Sequence, residues 1–171
     1  MPQHPEPATE FVLWHSPDWR EPEGPRAPCM VHEHEALLEQ AETARARRRE
    51  AYPAMIARGQ ITAEAAEADI AAWELLAAEW RWICDGTGDL PHPLTLPARI
   101  AAVDLAMERV SAELARGRRS ADVIRQLHLV EALRWHLATL KFDAPAVHFW
   151  AGLTRQLRAE RAATPAGKEA A

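Results

Sequence analysis

Two glycines far apart in the chain sit inside the same short pattern, and that pattern constrains the fold more than any other feature. The first copy reads Ala57-Arg58-Gly59-Gln60-Ile61-Thr62-Ala63-Glu64, the second Ala115-Arg116-Gly117-Arg118-Arg119-Ser120-Ala121-Asp122. Glycine reaches the left-handed backbone geometry that closes an α-helix without a Cβ clash. Three residues later a Thr or Ser hydroxyl can accept the unpaired N–H groups that open the next helix. An acidic residue then falls in the first turn, where the helix dipole favours negative charge. Each copy therefore marks a reversal between two antiparallel helices.

Apolar spacing supplies the helices on either side. The first is predicted from about His32 to Arg58, with Leu37, Leu38, Ala41, Ala44, Tyr52, Met55 and Ile56 inward. Pro53 removes a backbone hydrogen bond and predicts a kink or short break near Tyr52. The second, about Ala63 to Cys84, carries a stripe at Ala66, Ile70, Trp73, Ala77, Trp80 and Cys84. The third, about Leu96 to Arg116, repeats it at Leu96, Ile100, Val103, Met107, Val110 and Leu114. Spacings of three and four place each set on one helix face. The fourth, about Ala121 to Phe142, is apolar round much of its circumference and is expected to be the most buried. Asp143 is expected to cap a fifth, with Pro145 in its first turn and Trp150, Leu153 and Leu157 inward. No period-two strand of useful length is visible. The fold class expected is all-α: two antiparallel helical hairpins packed as a four-helix bundle, plus a C-terminal helix and an N-terminal Pro-rich arm.

Composition sets the boundaries. Seven of the 13 prolines lie before residue 29, so residues 1–30 read as an extended arm, residues 31–161 as the helical domain and residues 162–171 as a disordered tail. The formal net charge of −5 argues against nucleic-acid binding through overall charge. Two cysteines in a chain of 171 residues form no disulfide framework, and neither a leader nor a membrane-length apolar run is apparent, so a cytoplasmic protein without a membrane partner is expected.

Four sets of residues invite a functional reading. Phe11, Trp14 and Trp19 put large apolar groups in the arm, and Trp82 lies off the stripe of its helix. Docking of the arm's aromatics onto the chain's own helices is the favoured reading; the alternative makes them, with Trp82, a partner-binding patch, because aromatic side chains dominate protein-binding hot spots. Arg45, Arg47, Arg48, Arg49 and Arg58 form a basic cluster that could neutralise phosphates. Five nearby acids and the spread of consecutive arginines round a helix favour a solvated face instead. Cys29, His32, His34 and Cys84 offer zinc-ligand chemistry, although two histidines two apart diverge on a helix and paired ligand spacing is missing. Glu39 with Glu42, and Glu64 with Glu67, echo the paired acids of all-helical magnesium-dependent nucleotide pyrophosphohydrolases; solvated helix faces generate the same pairs.

Arg47-Arg48-Arg49-Glu50-Ala51-Tyr52-Pro53, followed by Gly59 and the Ala-rich run Ala63 to Trp82, resembles a helical hairpin in small bacteriophage and prophage proteins. The resemblance covers residues 45–82 and implies a phage-derived accessory protein. It carries over no activity and no site residue.

The reading that follows is a small non-enzymatic interaction protein with no cofactor and an unidentified protein partner. Ala-rich stripes permit close helix approach, so a homodimer is compatible with the pattern. The alternatives are a nucleic-acid accessory protein acting through the arginine cluster and a divergent magnesium-dependent hydrolase acting through the glutamate pairs.

Overall fold

The computed structural model describes residues 27–163; Phe11, Trp14 and Trp19 lie outside the described residues. Five helices dominate: α1 (His34–Ala57), α2 (Ala63–Asp85), α3 (Leu96–Ala115), α4 (Ala121–Ala138) and α5 (Ala146–Ala163). A 3-10 turn at Pro93–Thr95 leads into α3, and strands β1 (Leu140–Lys141) and β2 (Ala144–Pro145) join α4 to α5. The fold is all-α.

Both glycine patterns close and reopen helices as expected. At the end of α1, Gly59 N–H donates to Ile56 O and Gln60 N–H to Met55 O, each at 2.9 Å, with Gly59 at φ +68°. At the end of α3, Gly117 and Arg118 make the same pair of bonds to Leu114 and Glu113, with Gly117 at φ +85°. This is the Schellman closure, which satisfies carbonyls that a helix end leaves unpaired. Thr62 then accepts from Ala65 N–H and Ser120 from Val123 N–H, opening α2 and α4.

The hairpins pack as a closed ring. α1 lies against α2, α2 against α3, α3 against α4 and α4 against α1, while α5 rests on α2. Trp73, Leu76, Ala77 and Trp80 of α2 face Leu37 and Ala41 of α1, Val103 of α3, and Leu129, Val130 and Leu133 of α4 in one core. Burying two tryptophans there removes roughly 150–250 Å² of side chain apiece from water.

Three expectations need correction. α1 runs unbroken through Pro53, because tertiary contacts hold the chain where one helical bond is lost. Tyr52 is 3% exposed, its hydroxyl donating to Asp69 and accepting from Arg109 Nη1 at 3.2 Å. The fourth helix stops at Ala138, four residues early, and its first half is partly exposed; α2 carries the larger buried set. Asp143 does not cap the fifth helix. It joins Phe142 in a tight turn, both at positive φ (+61° and +54°), which pairs Leu140 with Pro145 and Lys141 with Ala144 and delays α5 to Ala146.

Candidate functional site

Two charged residues are wholly buried, and both occupy stripe positions. Glu79 stands on α2 between Leu76 and Ile83 at helical spacing, and Arg99 on α3 one turn before Val103. Each is 1% exposed, and they meet as an ion pair between Glu79 Oε2 and Arg99 Nη1. From α5, His148 Nε2 donates to the other oxygen, Oε1, at 2.6 Å. One carboxylate thereby ties three helices together. A guanidinium carries five N–H groups; among the described residues Arg99 Nε finds no acceptor, and Arg99 Nη1 and Glu79 Oε2 meet as an ion pair without hydrogen-bond geometry.

Arg99 and His148 also line a cleft of about 360 Å³. Its walls are apolar, made by Leu90, Pro91, Pro93, Leu96, Ala144 and Pro145, with His92 and Asp143 completing it. The first turn of α3 forms one side. The 3-10 turn runs straight into α3: Thr95 N–H donates to His92 O at 2.9 Å and Leu96 N–H to Pro93 O, while Pro97 has no N–H to satisfy.

On the same hairpin lies an aromatic corner. Phe142 is 80% exposed, packs edge-on to Phe149 at 5.9 Å, and Phe149 packs likewise on Trp150 at 4.9 Å. The Lys141 ammonium lies 3.9 Å from the Phe149 ring centre and 4.3 Å from that of Trp150. Leu140 is more than half exposed, and so is Leu157, expected to face inward, which lies on α5 beyond the reach of the four-helix core. A large side chain at positive φ is strained, and residues so held collect at functional positions.

The sites expected from sequence are dispersed. Arg48 is buried in the α1–α2 hairpin, its Nε donating to Asp69 at 2.8 Å and its guanidinium lying 4.4 Å above Trp73. Its burial and its pairing with Asp69 tie it to the hairpin's interior. Arg49 pairs with Glu74 and Arg58 bonds Gln60, leaving half-buried Arg45 and exposed Arg47 as remnants of the cluster. Trp82 is half-buried rather than open, with the Arg155 guanidinium 4.0 Å above its ring and His148 at its edge. Glu42 binds Arg81 near the end of α2, whereas Glu64 and Glu67 sit exposed at its beginning with Glu39 exposed on α1; the length of α2, about 1.5 Å per residue, separates the two pairs.

Cys29, His32, His34 and Cys84 converge on no metal centre; among the described residues no group of three or more His, Cys, Asp or Glu side chains is placed to hold an ion. Burial, with Glu35 and Asp85 adding to it, pushes the Cys84 thiol up, away from the thiolate a metal needs. Burial also lowers His34, which packs edge-on to Trp80 at 5.7 Å and to His136 at 5.9 Å. Asp85 is engaged by Thr87, whose N–H and hydroxyl donate to it at 2.8 and 2.6 Å and hold its carboxyl below the usual range. No helix among the described residues is long and apolar enough to cross a membrane.

Comparison with protein-family models, curated proteins and solved structures returns no match to the chain.

Proposed function

We propose that the protein is a non-enzymatic interaction protein that docks a protein partner through the aromatic corner on its β-hairpin. The observation that carries this reading is Phe142, a large apolar side chain 80% exposed at φ +54°. A folded chain that needed the hairpin only as a connector would place Asn or Gly at such a position. Phe142 and Phe149, both exposed and packed edge-on to each other, form the kind of open apolar surface that marks a binding site. Edge-on aromatic packing pre-orders the rings, which limits the entropy lost on docking.

The test is quantitative affinity purification from the native host with the wild type, Phe142→Ser and Phe149→Ser. A protein recovered with the wild type and at least tenfold less with either variant supports the corner as the docking surface. Equal recovery with all three, at unchanged circular dichroism, refutes it.

A further inference from the structure

We infer that the cleft between the 3-10 turn, the start of α3 and the β-hairpin is a binding site for a small monocarboxylate with an apolar body. Two independent features carry this. The walls are aliphatic and proline-rich, and a volume of about 360 Å³ is at the small end of the range for ligand pockets. The lining includes Arg99, 1% exposed, whose Nε has no acceptor; its ion-pair partner Glu79 also accepts from His148.

A carboxylate matches the unpartnered Arg99 Nε because its two oxygens meet a guanidinium edge in one plane. The negative groups facing the same region set the limit on charge. Glu79 already occupies part of the guanidinium, and exposed Asp143 stands at the rim. A doubly charged phosphate meets both, whereas a single negative charge on a greasy body meets Arg99 with less repulsion. The aliphatic walls then discriminate against small hydrophilic acids.

The full chain is titrated with hexanoate, benzoate, 1-hexanol and inorganic phosphate, following amide and histidine resonances by NMR. Saturable binding of hexanoate or benzoate, roughly millimolar or tighter for ligands of this size, is expected to move resonances of Leu96, Ala144 and His148. The alcohol and phosphate are expected to bind at least tenfold more weakly. Leu96→Trp fills the cleft without touching the ion pair and is expected to weaken binding at least tenfold. Arg99→Lys keeps the charge, loses the planar fork and is expected to do the same. No saturable carboxylate binding to the wild type overturns the proposal, as does hexanol or phosphate binding as well as hexanoate. Should Arg99→Lys fail to fold, Leu96→Trp and the comparison of acid with alcohol still decide.

Discussion

At the scale of single residues, three glycines close helices at positive φ, yet they differ in what surrounds them. A Cβ at Gly59 or Gly117 would meet nothing within 4 Å, so alanine there suffers only the left-handed backbone. Gly59→Ala and Gly117→Ala are expected to lose about 1–2 kcal/mol each in urea unfolding. Gly86, at φ +79°, lies under Arg155, whose Cδ and Nε a new Cβ would approach to 3.1 and 3.2 Å. That guanidinium donates to Trp82 O at 2.7 Å and Ile83 O at 3.2 Å, closing the end of α2. Gly86→Ala is therefore expected to destabilise more than the other two, and an equal loss at all three positions would show that Arg155 yields freely. His136 sets a pH dependence. Burial, with the charges of His34 and His32 adding to it, lowers its pKa from 6.5 to about 4, while its bond to Val31 O and the charge of Glu79 oppose that shift. The unfolded chain thus takes up a proton that the folded one refuses. Stability is full above about pH 6.5 and falls as pH drops towards 4, by up to about 3 kcal/mol. The check is the urea midpoint between pH 7 and 4, which is expected to flatten in His136→Phe.

At the scale of elements, Glu79 links α2 to α3 through Arg99 and to α5 through His148. Glu79→Ala leaves a buried guanidinium unpaired and is expected to cost about 3–5 kcal/mol, measured by chemical unfolding. Glu79→Leu combined with Arg99→Met is expected to recover most of that loss, since two apolar groups of similar volume leave no stranded charge. A double variant no more stable than Glu79→Ala would assign the loss to packing instead. The helix reversals at Gly59 and Gly117 were readable in the sequence because their chemistry is local: a glycine, a hydroxyl and an acid within eight residues. The Glu79–Arg99 pair was not, because it joins residues of different helices in a chain rich in both charges. A signal existed all the same. Arg99, Val103, Ala106 and Val110 share one face, so a charge stands where the stripe calls for an apolar side chain. The Phe142–Asp143 turn left no such trace, since neither residue type announces positive φ and Pro145 suits a helix start equally well.

At the scale of the whole molecule, the connection between α4 and α5 carries strain where a relaxed turn would serve. Replacing Phe142-Asp143 with Asn-Gly suits a hairpin whose two central residues both lie at positive φ, and is expected to raise stability by about 1 kcal/mol in thermal or urea unfolding. The same change removes the largest ring of the aromatic corner, so partner recovery is expected to fall as stability rises. Both quantities moving down together would mean that Phe142 is a packing residue. α5 also stands in an unusual relation to the rest of the bundle. It touches the core through buried Val147 and partly buried Ala151, yet supplies the guanidinium that finishes α2 and the imidazole that shares Glu79. A protease cutting after Pro145 would therefore strip away little grease and still leave two open carbonyls and an under-compensated carboxylate behind. The last helix acts as a keystone rather than as ballast, and its detachment would be felt at the far side of the hairpin it seals.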